Sequence, residues 1–216
     1  MPIVRPKCSG DKINFYGVCE IALLNVTDKS DQFGWADIYL DVEIKQKGSD
    51  YTKSLRICGS FEKDPDGTVS GGSVLNRLYN FLDCIGCKAG INAKGGWEQE
   101  DGKAIDNIAE FLSKGYCESS EPTSFPYLAY VYKEKPKKLG DKVYARVHHK
   151  IYPNQEANTQ KLLDDVNWLK GRGYLKEASP EEMDANRPVT SNGMKDKLEE
   201  TFGADAFDNL KWTTLR

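Results

Sequence analysis

Long apolar runs are missing from this chain: no stretch approaches the about 20 residues that a helix needs to cross a bilayer. The first residues, MPIVRPKCSGDK, lack the apolar core of a secretory signal, so an intracellular, cytoplasmic protein is expected. A large excess of one charge is also missing. The net charge is −3, which excludes a generic basic coat for nucleic acid. HExxH, GxxxxGK[S/T] and GxSxG do not occur, so metalloprotease, P-loop and nucleophile-elbow chemistry have no motif to rest on. Histidine is scarce: the only two, His148 and His149, are adjacent. On a strand their rings would face opposite sides and could not easily share a metal. Of six cysteines, Cys84 and Cys87 form a CxxC, but no second pair accompanies it. They are weak zinc candidates, since a structural site needs two clear ligand pairs. Small buried thiols at a helix C-terminus are the plainer expectation, and no cofactor is expected.

What is present suits one globular domain: 39% hydrophobic and 29% charged residues over 216 positions. Three strands are expected first, at 15–25, 35–46 and 51–61. In the second, Ala36, Ile38, Leu40, Val42 and Ile44 alternate with Trp35, Asp37, Tyr39, Asp41, Glu43 and Lys45. Residues 62–72 are rich in turn formers. Ser73 is expected to cap a helix running to about Cys84, with Val74, Leu75, Leu78, Phe81 and Leu82 at helical spacing. Residues 88–102 read as irregular, and 104–113 as a short helix. Strands four and five are expected at 125–132 and 142–152, with Pro153 stopping the last. A helix over 158–170 follows, with Leu162, Leu163, Val166 and Leu169 on one stripe.

The fifth strand, KVYARVHHKIY, has the most distinctive pattern. Val143, Ala145, Val147 and Ile151 form an ordinary core face; Lys142, Tyr144, Arg146, His148, Lys150 and Tyr152 mix flat rings with positive charge. His149 is expected to be partly buried. Cations suit phosphates and flat surfaces suit exposed bases, so the second face fits single-stranded nucleic acid. The charge is polarised: residues 127–152 carry a net +5, and 176–210 a net −5. The order strand, strand, strand, helical insert, strand, strand is that of an OB-like five-stranded Greek-key barrel. The fold class expected is therefore mainly β with α insertions (α+β), the insert spanning about 62–124, with a C-terminal helix.

With GWADIYLDVEI early, LNRLYNFLDCIG in the middle and VYARVHHKIY late, the chain resembles the single-stranded DNA-binding proteins of bacteriophages over roughly 15–175. The resemblance implies a viral protein in the host cytoplasm. It implies an OB core at 1–175 and a flexible acidic tail at 176–216 that contacts replication or recombination proteins. The tail departs from the pattern by ending in KWTTLR rather than an acidic run. The expected role is to coat and protect single-stranded DNA in replication, recombination or repair, without catalysis. The expected contacts are Trp35, Tyr39, Arg56, Tyr132, Lys135, Lys137, Lys138, Lys142, Tyr144, Arg146, His148, Lys150 and Tyr152. A homo-oligomer is compatible with this reading; a membrane partner is not expected. Two alternatives stay open. Asp37, Asp41 and Glu43 could gather a divalent ion in a nuclease, alongside a zinc enzyme of DNA metabolism, or the barrel could bind another protein.

Overall fold

The computed structural model describes residues 16–138, 141 and 143–179. They divide into two units, 16–134 with 144–177 and 135–143 with 178–179. The larger unit is mixed α and β. Its centre is a curled, antiparallel five-stranded sheet of order β3-β2-β1-β8-β9. The strands are β1 (Gly17–Asp28), β2 (Ile38–Gln46), β3 (Thr52–Gly59), β8 (Tyr127–Lys133) and β9 (Ala145–Pro153).

Period two decides which side chains meet in the core. Ile38, Leu40, Val42 and Ile44 of β2 are at most 1% exposed. They lie against Ile21 and Leu23 of β1 and Leu55 and Ile57 of β3. β2 starts at Ile38 rather than Trp35, because a 3-10 turn at Ser30–Gln32 and a bend lead into it. β1 carries a bulge between Leu23 and Asn25. The extra residue flips the alternation, so that Val26 also turns inward. The hydroxyl of Ser113 satisfies the backbone there: Val26 N donates to Ser113 Oγ at 2.9 Å, and Ser113 Oγ donates to Asn25 Oδ1 at 3.0 Å.

Ser113 belongs to α2 (Ile108–Tyr116), which packs on β1. Helix α1 (Ser73–Cys84) buries Val74, Leu78, Phe81 and Leu82 and contacts both sheet edges, β3 and β9. Ser73 is the first helical residue, not the cap; Gly72 holds that position at φ 126°. Gly59 permits the close approach, since a Cβ there would lie 3.1 Å from Val74 Cβ. The turn-rich and irregular stretches of the insert fold into two small hairpins. These are β4 (Glu62–Lys63) with β5 (Val69–Gly71), and β6 (Ala89–Ile91) with β7 (Trp97–Gln99).

The expected fifth strand begins three residues late and does not alternate throughout. Ala129 pairs with Ile151 and Val131 with Val147, so β9 uses four steps where β8 uses two. Helix α3 (Glu156–Gly171) then covers the outer side of β8. Leu162 and Val166 join Leu128, Tyr130 and Leu175 in a second core. Among the described residues, no helix is long and apolar enough to cross a membrane.

Candidate nucleic-acid interface

An aromatic corner forms where the β1–β2 connection enters β2. Phe33 stacks on Tyr39 with centroids 4.5 Å apart, and Trp35 meets Tyr39 edge-on at 6.2 Å. Trp35 is 57% exposed. The loop is tied down at several points. Lys29 N donates to Tyr39 O at 2.8 Å, and Tyr39 N donates to Ser30 Oγ at 2.9 Å. Ser60 Oγ donates to Trp35 O at 2.5 Å. Asp37 accepts from Phe61 N at 2.9 Å and pairs with Lys63 at 2.6 Å. Lys63 beside it, helped by that backbone bond, holds the Asp37 carboxyl below its ordinary value. The corner is thus an exposed aromatic surface on a fixed backbone. The sequence argument missed Phe33; its signal was a Phe-Gly-Trp inside an otherwise polar loop.

Cross-strand register carries this surface toward positive charge. Tyr39 faces Cys58, and Arg56 lies two residues further along β3, diagonal to Tyr39 on the same face. Arg56 opens into a cleft of about 610 Å³ between the β3 and β9 edges. Arg77 of α1, Arg146 of β9 and Lys53 of β3 also line it, together with Tyr51 and Tyr132. Burial lowers the pKa of Lys53, whose ammonium donates to Gln46 Oε1 at 2.5 Å. Arg146 pairs with Glu134 at 2.7 Å. Asp41, opposite Arg56 in register, is engaged by Lys29 at 2.6 Å and by the Ser54 hydroxyl. Three guanidinium groups in one open cleft form a surface for an anion. Arg77 was not anticipated, although it is the only cation in the helix SVLNRLYNFLDC.

The outer face of β9 has a different fate. Tyr152 OH donates to Asp165 of α3, and Lys150 pairs with the same carboxylate at 2.6 Å while lying 5.1 Å over the Tyr152 ring. Burial opposes charge on Asp165, yet Lys150 and Tyr152 hold its carboxyl below the ordinary value. His148, expected on the open face, is 5% exposed. It lies in the bulged stretch of β9 on the side of Asp165 of α3, and burial lowers its pKa. Burial, then the neighbouring His148 and Arg77, pushes His149 down to about 3. Tyr132 stacks on Tyr130 at 6.3 Å and is half-buried. Tyr144 stays 58% exposed just ahead of β9.

Lys135, Lys137 and Lys138 belong to the smaller unit, where Lys138 N donates to Asp141 Oδ2 at 3.1 Å. Lys142 and the acidic segment from 180 onward lie outside the described residues. Burial pushes the Cys84 thiol up to about 12 and that of Cys117 to about 11, and Cys87 is buried. Thiols in that range are protonated at neutral pH when no metal is bound. Among the described residues, no three His, Cys, Asp or Glu side chains converge as a metal site.

Comparison with protein-family models, curated proteins and solved structures finds no match to this chain.

Proposed function

We propose that this chain is a non-catalytic single-stranded DNA-binding protein on an OB-like Greek-key barrel, serving phage DNA replication, recombination or repair. The observation that carries the reading is one run of surface: Phe33, Trp35 and Tyr39, then Arg56, then Arg77 and Arg146 in the cleft. Bases stack on the aromatic corner and phosphates follow the arginines, the combination that holds single strands without reading sequence. Two further points support it. The order β3-β2-β1-β8-β9, with α1 inserted after the third strand, is the order of an OB barrel. The aromatic corner stands at the β1–β2 loop, which borders the ligand face of that fold. Lys150 and Tyr152 are left out of the track because Asp165 of α3 engages them, and His148 because it is buried. The acidic C-terminal segment serves in this proposal as the contact for replication or recombination proteins.

Gel-shift titrations with single-stranded DNA, duplex DNA and RNA test it. Single strands are expected to bind most tightly. With three phosphates neutralised, log K falls against log salt with a slope of about −2. Equal or tighter duplex binding, or salt-independent binding, overturns it.

A further inference from the structure

A second cavity, of about 690 Å³, lies where α1, β9 and α3 meet. Its size is within the range of small-molecule sites. His148 is among its lining residues, and that ring carries a polar atom, sealed from solvent, that the fold leaves unmet. His148 is 5% exposed, and its Nε2 meets no hydrogen-bonding group among the described residues. Nδ1 lies 3.3 Å from Lys150 N and 3.4 Å from Lys150 O. It can accept from the first or donate to the second. Nε2 is a donor in one tautomer and an acceptor in the other, and either way lacks a partner.

The remaining walls narrow the ligand. Asn76 and Asn80 stand four residues apart on α1, hence on one face, and each amide offers a donor beside an acceptor. Across from them Trp168 is 57% and Tyr174 75% exposed, their rings 6.2 Å apart, with the Arg172 guanidinium 5.6 Å from the Trp168 ring. Asp165 is already paired with Lys150, so it does not demand a cation. The ligand that fits is flat, with donors and acceptors along its edge. An aliphatic group would leave His148 and the two amides unpaired. An inorganic anion would make no use of the aromatic rings. A duplex has its base edges already paired.

We propose that this cavity is a nucleobase pocket, in which a base stacks on the exposed Trp168 ring, its edge bonds Asn76 and Asn80, and a shift of the His148 ring brings the sealed Nε2 to it. Arg77 and His149 line both this cavity and the basic cleft, so a strand lying in the cleft reaches it directly. With a base of a bound strand as the source, the proposal rests on the single-strand reading above. A free nucleotide offers the same chemistry.

The test compares the full chain with its Trp168→Phe variant, so that the difference in emission reports Trp168. Each is titrated with (dT)16 and, separately, with the four deoxynucleoside monophosphates. Quenching by (dT)16 is expected. The double variant Asn76→Ala/Asn80→Ala should weaken binding about tenfold, the effect of losing one base contact, with an unchanged salt slope. Quenching by a monophosphate without any oligonucleotide binding keeps the pocket, assigns it to free nucleotide and removes the single-strand reading. Oligonucleotide binding with Trp168 unquenched and the double variant unimpaired removes the pocket and leaves the cleft. Silence toward every probe removes both.

Discussion

On the outward face of β2, β3 and the loop that enters β2, Trp35 and Arg56 stand exposed with Tyr39 half-buried between them. On the outward face of β8 and β9, Leu128, Tyr130 and Tyr152 lie beneath Leu162, Val166 and Asp165 of α3. Both faces carry tyrosine and cations on a period of two. One was left as surface and the other was made into core. The difference teaches that an aromatic–cationic strand face is not by itself a binding face. The same tyrosine ring that can stack on a base can bury its body under a helix and hand its hydroxyl to a carboxylate.

Four measurements break or sharpen this comparison. The largest effect is expected from reversing the cleft. Arg56→Glu/Arg77→Glu/Arg146→Glu removes three charge-assisted contacts of about 1.5–3 kcal/mol each. Affinity for a fluorescent single strand, read by anisotropy, should fall by about a thousandfold or more, and the salt slope should collapse. On the covered face, Leu162→Ala should cost about 2–5 kcal/mol of stability in urea denaturation, the usual cost of a buried leucine. Its salt slope for single strands should stay near that of the parent. If the two variants exchange phenotypes, the assignment of open and covered faces is wrong.

Trp35→Ala should weaken single-strand binding by about 1–3 kcal/mol, one stacked base, while leaving the denaturation midpoint nearly unchanged. The fourth concerns pH and the β9 half alone. The folded state holds His148 and His149 below their ordinary value, so it binds fewer protons than the unfolded chain. Their contribution to stability is therefore full above about pH 6.5. It falls as pH drops toward the folded value, which is about 3 for His149. Each histidine contributes a slope of at most about 1.4 kcal/mol per pH unit. Chemical denaturation between pH 7 and 5 should show declining stability, and His149→Asn should flatten it. A flat profile in the parent would mean that the ring is hydrated in solution.

Much of the sheet was legible in the chain. Ile38, Leu40, Val42 and Ile44 alternate so regularly that strand, face and burial all follow from local pattern. The apolar stripe of Val74, Leu78, Phe81 and Leu82 announced α1 in the same way. The candidate site was legible only in part. Trp35, Tyr39, Arg56 and Arg146 could be chosen because each sits on the polar side of a recognisable strand or at its start. Arg77 could not, because nothing within SVLNRLYNFLDC says which sheet edge the helix will face. Phe33 belongs to the corner only because the loop folds back onto Tyr39. The two hairpins of the insert were hidden for the reason that short strands usually are: two or three residues give no periodicity to read.

The opening pattern of the fifth strand shows the limit most clearly. Its sequence determined that Val147 and Ile151 would join the core and that an aromatic, basic set would point away from it. Whether that set met solvent was decided elsewhere. α3 begins only at Glu156, yet its Leu162, Val166 and Asp165 desolvate Tyr152 and engage Lys150, and His148 is buried on the same side. Alternation is a property of one strand and can be read from neighbours in the chain. Which polar face is covered depends on the free energy of docking distant elements, and only the tertiary structure fixes that.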